Sequence, residues 1–303
     1  MKILVTGGLG TVGSLLVKKL RAKGHEVYIL DLPHNNDPKY FRCDISMYRQ
    51  LESIFQRHNF DYVYNLAAEF GRWNGEDFYE KVWLSNAVGT KNIIRCQEKY
   101  GFRLIHFSSS EVYGDYTKKM SEDVLNKEVI HQMNDYAMSK WVNELQIKTS
   151  IQLNKTETVI VRLFNTYGPG EYYSDYRSVI CIFCYRALHN MPYTVYTNHF
   201  RSSTYIDDCI EALTNIIKNF KAGEVYNIGS DELHNIKEAS DIVLKYLGKS
   251  DSLITYKENE TLTTKIKKID NDKAKRDLGY KSTVSLLEGI PLTIDWMKGV
   301  YKG

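Results

Sequence analysis

Residues 6–13, TGGLGTVG, constrain the fold of this chain more than any other stretch. Gly7, Gly10 and Gly13 stand three apart, directly after the apolar run KILVT. They lead directly into TVGSLLVKKLRAKG, where apolar residues recur at helical spacing and stop at Gly24. A strand that turns this tightly into a helix leaves the first N–H groups of the helix unpaired, and glycine lets another group approach that backbone closely. The alternation then continues. HEVYILDL, DYVYNLAA, FRLIHFSSS and ETVIVRLFN read as strands, and SMYRQLESIFQRHN, residues 77–100 and YAMSKWVNELQIKTSIQLN read as helices. Apolar strands alternating with amphipathic helices predict right-handed βαβ units, hence an α/β fold with a doubly wound parallel sheet covered on both faces.

The rhythm breaks after Asn165, where TYGPGEYYSDYRS is rich in Gly, Tyr and charge. A first domain over 1–165 is expected. A smaller α/β domain over 166–303, with segments returning to the first, would close a cleft between the two. The length of 303 residues suits about two such units. A hydrophobic content of 43% and a charged content of 25% exclude collagen-like and strongly disordered classes. The net charge of +3 argues against a nucleic-acid partner. MKILVTGG enters a strand at once and lacks the apolar core of a secretory leader. No run approaches the ~18 apolar residues that span a bilayer, so no membrane partner is expected. Five scattered cysteines (Cys43, Cys96, Cys181, Cys184, Cys209) suit a reducing, cytoplasmic setting better than a disulfide framework. Cys181 and Cys184 form a C-x-x-C, but their surroundings are apolar and helix-like. They read as packed thiols rather than a redox pair, and no metal site is expected. TTKIKKIDNDKAKRD (263–277) mixes bases and acids and reads as a solvated surface. The 23 tyrosines are mostly a matter of compositional bias.

Glycine turns of this kind seat a pyrophosphate on a helix N-terminus, with Gly7, Gly10, Thr11, Val12 and Gly13 as its backbone. Asp31 ends the second strand about twenty residues on, where a carboxylate accepts hydrogen bonds from ribose hydroxyls and repels a 2′-phosphate. LPHNND after it carries no Arg or Lys, so NAD is favoured over NADP. A tight turn without a ligand is the plainer alternative. YAMSK sets Tyr136 and Lys140 one helical turn apart, and no other tyrosine has Lys four residues later. A neighbouring ammonium lowers a phenol's pKa and readies it to take a proton from a hydroxyl. Ser109 ends the fourth strand, facing the ligand crevice, where it would orient the reacting oxygen toward Tyr136. Surface decoration and ordinary turn chemistry are the alternatives here.

TGGLGTVG, NLAA (65–68), NAVGTKN (86–92), SSSEVYG (108–114), YAMSK and RLFNTYGPG (162–170) occur together in an order that resembles the extended short-chain dehydrogenase/reductase family, the NAD-dependent nucleotide-sugar epimerase/dehydratase group. The resemblance covers essentially the whole chain. It implies a Rossmann fold in 1–165 and a nucleotide-sugar-binding domain in 166–303. It also implies NAD-dependent oxidation at C4 of a nucleotide-diphosphosugar, a 4-keto product, and a place in surface-polysaccharide synthesis. By resemblance Tyr136 is the base, Lys140 its partner and holder of the nicotinamide ribose, and Ser109 the orienting hydroxyl. Leu66, Ala67 and Ala68 would line the nicotinamide side, with Asp44 and Ile45 near adenine. Asn165 and Arg201 match diphosphate contacts, and YTVY, beginning at Tyr193, sits where the base and its ribose lie. Ser110, Arg177 and Val179 complete the candidate substrate contacts. The family often assembles as a homodimer or higher homo-oligomer through the helices at 77–100 and 136–154.

After C4 oxidation the subfamilies divide. A dehydratase places Asp and Glu after its catalytic hydroxyl residue; here the pair is Ser110 and Glu111, so the acid is missing and the candidate base remains. A 4-dehydrogenase or 4-epimerase acting on a GDP- or UDP-linked hexose or heptose is therefore the leading expectation. The Ser-Glu pair is also similar to nucleotide-sugar uronate decarboxylases, which need a cation near the sugar carboxylate, with Arg72 and Arg177 as candidates. A 4,6-dehydratase ranks lower, as do a non-catalytic NAD-sensing scaffold and an RNA-associated relative. Loops 69–77 and 170–179 read as sugar-contacting, with Tyr172, Tyr173, Tyr176 and Arg177 as the place to look for sugar specificity. Packing between the lobes is their plainer role.

Overall fold

The computed structural model describes residues 1–301. The first half runs β1 (Lys2–Thr6), α1 (Thr11–Ala22), β2 (Glu26–Asp31), β3 (Tyr40–Arg42), α2 (Tyr48–Arg57), β4 (Tyr62–Asn65), α3 (Arg72–Asp77), α4 (Tyr79–Val82), a π-helical segment (Trp83–Val88), α5 (Gly89–Tyr100) and β5 (Arg103–Ser109). A 3₁₀ turn (Ser110–Tyr113), β6 (Lys119–Met120), α6 (Val124–Lys127), α7 (Asp135–Asn154), β7 (Thr158–Leu163), β8 (Thr166–Tyr167), α8 (Val179–Leu188) and β9 (Tyr193–Tyr196) follow. The remainder is β10 (Phe200–Ser202), β11 (Thr204–Tyr205), α9 (Ile206–Asn215), β12 (Val225–Ile228), β13 (Leu233–Asn235), α10 (Ile236–Leu247), β14 (Ile254–Lys257), β15 (Ile266–Ile269), α11 (Asp272–Leu278) and α12 (Leu286–Val300). No helix among the described residues is long and apolar enough to cross a membrane.

Seven parallel strands form the main sheet in the order β12-β7-β5-β4-β1-β2-β3. The chain winds outward from β1 in one direction and from β4 in the other, so the crevice lies beyond the carboxyl ends of these two neighbours. Strand and helix periodicities decide what covers the faces. Leu16, Val17 and Leu20 of α1 pack one face together with Ile210 and Leu213 of α9 and Leu278 of α11. Leu51 and Phe55 of α2, Ile93 and Ile94 of α5, and Ile147 of α7 pack the other. Each such buried aliphatic side chain contributes about 1.5–3 kcal/mol. Thus β12, α9 and α11, all from the second half, complete the first sheet and its covering layer. A separate apolar centre joins α8, α10 and α12 with β9; Cys181 and Cys184 lie buried in it, and burial pushes both thiols well above their usual range. A four-stranded sheet, β13-β10-β15-β6, borrows β6 from the first half.

Two expectations need correction. The helix expected over 77–100 runs continuously over 79–100 as α4, the π-helical segment and α5, and a separate short helix, α3, precedes it. In the π-helical segment Asn86 is fully buried; its amide donates to the Glu69 carbonyl (3.0 Å) and the Ser139 hydroxyl (2.9 Å) while its oxygen accepts from Glu69 N (2.9 Å). The widened turn aims this side chain at two elements at once. The stretch 263–277 is not simply solvated surface: it contains β15, in which Lys267 is 2% exposed. Lys267 and the buried Ile269 are two apart and therefore share the inward face of the strand.

The polar centre of the first core is Arg162 on β7 with Glu144 on α7. The guanidinium donates through Nε (2.9 Å) and Nη2 (2.7 Å) to the two carboxylate oxygens, and the side chains are 1% and 0% exposed. Ser108 donates to the same carboxylate at 2.6 Å, and Arg162 also reaches the Tyr113 hydroxyl at 2.9 Å. Removing one partner of such a pair leaves an uncompensated buried charge. Arg162→Met is expected to destabilise the fold by about 3–5 kcal/mol in denaturant unfolding. Adding Glu144→Met should recover most of that loss.

Candidate active site

The glycine turn is built by close approach. Gly7 has φ +65°, and a Cβ on it would stand 2.8 Å from Ala67 N. A Cβ on Gly13 would stand 2.2 Å from the Gly7 carbonyl, so α1 can start where it does only with glycine there. Asp31 braces the turn from β2, accepting Leu9 N at 2.9 Å and Leu32 N at 2.8 Å. No side chain caps α1. Its first N–H groups therefore face the crevice, and they, the turn and Asp31 fit a dinucleotide pyrophosphate and ribose. Ile45, after β3, packs under Gly89 of α5, where a Cβ would stand 2.6 Å from it.

These residues line one cavity of about 910 Å³ that runs from the crevice into the second half of the chain. Gly7, Gly10, Thr11, Val12, Gly13, Asp31, Asp44, Ile45, Leu66, Ala67 and Ala68 lie at one end. Ser109, Ser110, Glu111, Tyr136 and Lys140 lie in its middle, and Asn165, Arg177, Val179, Tyr193 and Arg201 beyond them. Tyr136, Lys140 and Glu144 follow at single-turn intervals on α7, so one helix face meets the end of β5. Lys140 Nζ donates to the Phe107 carbonyl at 2.9 Å. The strap after β4 packs against this face, with Gly75 so close that a Cβ would meet Tyr136 N at 3.0 Å.

The electrostatics differ from the simple expectation of a lysine acidifying a phenol. Burial pushes the Tyr136 phenol up to about 12; the Ser109 hydroxyl beside it works the other way, and the Glu111 carboxylate adds to the rise. The Lys140 ammonium stands 5.8 Å from the phenol ring centroid, and burial pushes it down to about 8. In this state Lys140 is held to a backbone carbonyl, and the Ser109 hydroxyl is the group that works to lower the phenol.

On the substrate side, Arg201 on β10 donates to the carbonyls of Phe200 (2.8 Å) and Lys265 (3.1 Å) and to the Thr263 hydroxyl (3.2 Å). The Tyr193 hydroxyl is engaged with Ser240 at 3.0 Å and its ring stacks on Phe183, leaving only apolar surface for a ligand. Three buried donors on residues lining the cavity have no protein partner among the described residues: Arg72 Nη1, Asn165 Nδ2 and Arg177 Nε. The Arg177 guanidinium lies over the Phe70 ring at 4.2 Å. Of the tyrosine cluster expected to read the sugar, Tyr176 and Arg177 line the cavity. Tyr172 packs on Trp296, and Tyr173 stacks on Tyr185 at 3.8 Å and hydrogen-bonds Asp175, so both serve the wall behind it.

Sequence reasoning named Glu111 and Arg72 but missed Lys267 and Glu260, which join them in a charged wall. Lys267 pairs with Glu111, and Arg72 Nε stands 4.0 Å from the same carboxylate oxygen. Arg72 Nη2 donates to Glu260 at 3.0 Å across 188 residues of sequence, and Trp73 Nε1 reaches that carboxylate at 3.4 Å. Burial pushes the Glu111 carboxyl up, but Lys267 and Arg72 outweigh this and hold it below the usual range. Burial pushes Lys267 down to about 8 despite the Glu111 carboxylate, with Arg201 and Arg72 adding to the fall.

The family model for the NAD dependent epimerase/dehydratase family matches residues 3–229. UDP-glucuronic acid decarboxylase 1 of Arabidopsis thaliana is 29% identical over 305 residues, covering 96% of this chain and 68% of that protein. The UDP-glucose 4-epimerase of Thermotoga maritima, solved with UDP-glucose, superposes with a TM-score of 0.89 at 25% identity and 99% coverage of both chains. The UDP-glucuronic acid 4-epimerase of Bacillus cereus, solved with UDP-glucuronic acid and NAD, superposes with a TM-score of 0.86 at 26% identity, covering 99% of this chain and all of that one. This chain belongs to the NAD dependent epimerase/dehydratase family: it is an NAD-dependent, Rossmann-fold enzyme of the extended short-chain dehydrogenase/reductase group.

Proposed function

We propose that the protein oxidises the C4 hydroxyl of a nucleotide-diphosphosugar to a 4-keto sugar, as a 4-dehydrogenase or 4-epimerase. The observation that carries this reading is the convergence of Ser109, Tyr136 and Lys140 beside residues 66–68 in the cavity that also holds the glycine turn. Tyr136 removes the hydroxyl proton and Ser109 orients the oxygen toward it. Lys140 holds the nicotinamide ribose and keeps a positive charge near the phenol. NAD, when bound, supplies the hydride acceptor and a further positive charge beside Tyr136. The cofactor is assigned to 1–165 and the nucleotide-sugar to 166–303. Met138, Leu145 and Leu153 on α7, with Tyr79, Leu84 and Val88 on the neighbouring helices, are exposed, which supports a homodimer through these faces.

The charge pattern supports a sugar without a carboxylate. Lys267 is committed to Glu111 and Arg72 to Glu260. Arg177 and Arg201 are the cavity-lining arginines with no carboxylate in ion-pair range among the described residues, and two guanidiniums suit one diphosphate. A hexose or heptose on UDP or GDP meets these conditions. Uronate decarboxylation is the second reading, favoured by the Arabidopsis relative and by the cations around Glu111.

Incubation with UDP- and GDP-linked hexoses, a heptose and a uronate separates these readings by product mass. Loss of two hydrogens marks dehydrogenation, unchanged mass with inverted C4 marks epimerisation, and loss of carbon dioxide from the uronate would replace the proposal with the second reading. Tyr136→Phe is expected to lower hydride transfer by ~10²–10⁴ while NAD still binds. Full turnover in that variant would exclude Tyr136 as the base.

Lys140 gives a pH prediction. Its pKa falls from 10.5 to about 8 on folding, so the unfolded chain binds more protons between these values. Stability therefore rises with pH across that window, and below it the folded state carries the full cost of the buried charge. Lys140→Met removes that cost of about 3 kcal/mol and loses one hydrogen bond of about 1 kcal/mol. The variant should thus be inactive yet more stable at neutral pH by about 2 kcal/mol, with the gain fading as pH rises through the window in thermal melts.

A further inference from the structure

Oxidation at C4 makes the neighbouring C–H groups of the sugar acidic, because a carbanion beside a ketone is stabilised as the enolate. A buried carboxylate in the same cavity is then a ready base. Glu111 is such a group: it lies two residues after Ser109, 14% exposed, and its backbone N–H is pinned to the Ser109 hydroxyl at 3.2 Å. Its carboxylate is close enough to raise the proton affinity of Tyr136.

Glu111 is not presented as a free base. Lys267 reaches it from β15, a strand of the other sheet, and is itself 2% exposed. The register of β10 and β15 sets Lys267 directly beside Arg201, so a second cation stands next to it. Arg72 Nε closes the far side at 4.0 Å and is itself anchored by Glu260. Two elements from distant parts of the chain, α3 and β15, thus converge on one carboxylate. Parting Lys267 from it would strand a buried ammonium beside Arg201, so the pair holds itself together.

We infer that the Lys267–Glu111 ion pair, flanked by Arg72, withholds the Glu111 carboxylate from the 4-keto sugar, so that the sugar keeps its C5 proton and the reaction stops at oxidation. This rests on the C4-oxidation reading. The suppressed step is simple in its balance: the C5–H bond breaks, its electron pair enters the enolate, the proton passes to Glu111, and a solvent proton later returns to C5. No oxidant or leaving group is involved. Lys267 and Arg72 are positioning residues in this scheme.

The test is deuterium wash-in from D₂O at C5, read by mass spectrometry and NMR on product quenched within a single turnover. The sugar used is whichever UDP- or GDP-linked hexose or heptose yields reduced NAD or a C4-inverted product. Wild type should carry no C5 deuterium. Lys267→Met should gain it by a factor on the order of 10², Lys267→Arg should match wild type, and Lys267→Met with Glu111→Gln should lose the gain. Lys267→Gln and Arg72→Gln repeat the test if Lys267→Met does not fold. Free exchange in wild type, or no gain in the variants while reduced NAD still forms, would overturn the inference and leave C4 oxidation standing. Absence of both reduced NAD and a C4-inverted product with every sugar would overturn the C4 reading, and this inference with it. A substrate-free readout is the double-mutant cycle of Glu111→Gln and Lys267→Met in thermal melts. A coupled pair gives non-additive losses, and additive losses would overturn the inference.

Discussion

The buried pair of Arg162 and Glu144 is the interaction on which the site depends. Two charges taken out of water cost several kcal/mol each, and the cost is offset only when geometry and hydrogen bonding are complete. Here they are: a two-point guanidinium–carboxylate contact, Ser108 on the same carboxylate, and the Tyr113 hydroxyl on the guanidinium. A pair this fully satisfied tolerates little displacement. It locks α7 to β7 and, through Ser108, to the residue next to Ser109. Because Glu144, Lys140 and Tyr136 share one helix face, fixing the first also fixes the depth and rotation at which the other two meet the end of β5.

Around that anchor, burial works against charge. It pushes Lys140 and Lys267 down and Tyr136 up, so the groups that serve the proposed chemistry are held in forms the interior disfavours. The stability of the large sheet carries that burden. Two packed faces of aliphatic side chains surround β1, β4, β5 and β7, and the polar cavity opens only beyond their carboxyl ends. The second sheet adds what the first lacks, Lys267 paired with Glu111 and Arg201 beside it in the cavity lining.

Much of this was legible in the sequence where a local rule applies. Period-two apolar runs and 3.6-period faces marked the strands and helices of the main sheet. The three glycines were readable because tight turns and close backbone approach leave glycine as the residue that fits, as the contacts at Gly7 and Gly13 bear out. Tyr136 and Lys140 were readable from their spacing. Legibility failed where the deciding neighbour is remote. Asn86 lies in a widened helical turn, hydrogen-bonded to Glu69 and Ser139. Lys267 looked solvated among lysines and acids, although its spacing from Ile269 was a signal for an inward face. Tyr172 and Tyr173 belonged to the expected sugar cluster by position alone; the aromatic partners that draw them away lie more than ten residues off.

The sequence by itself determined the parallel α/β sheet, the strand–turn–helix at the dinucleotide end and the one-turn spacing of Tyr136 and Lys140. Those follow from periodicity and short spacings, which depend on backbone geometry within a turn or two. Only the tertiary structure decided the electrostatic state of the site: Lys140 drawn to a carbonyl, Tyr136 raised by burial, Glu111 bound by Lys267 and Arg72 bound by Glu260. Charge interactions and desolvation depend on distance and enclosure in space, and no local pattern in the chain encodes which residues, 156 or 188 positions apart, will meet in the dry interior of a cavity.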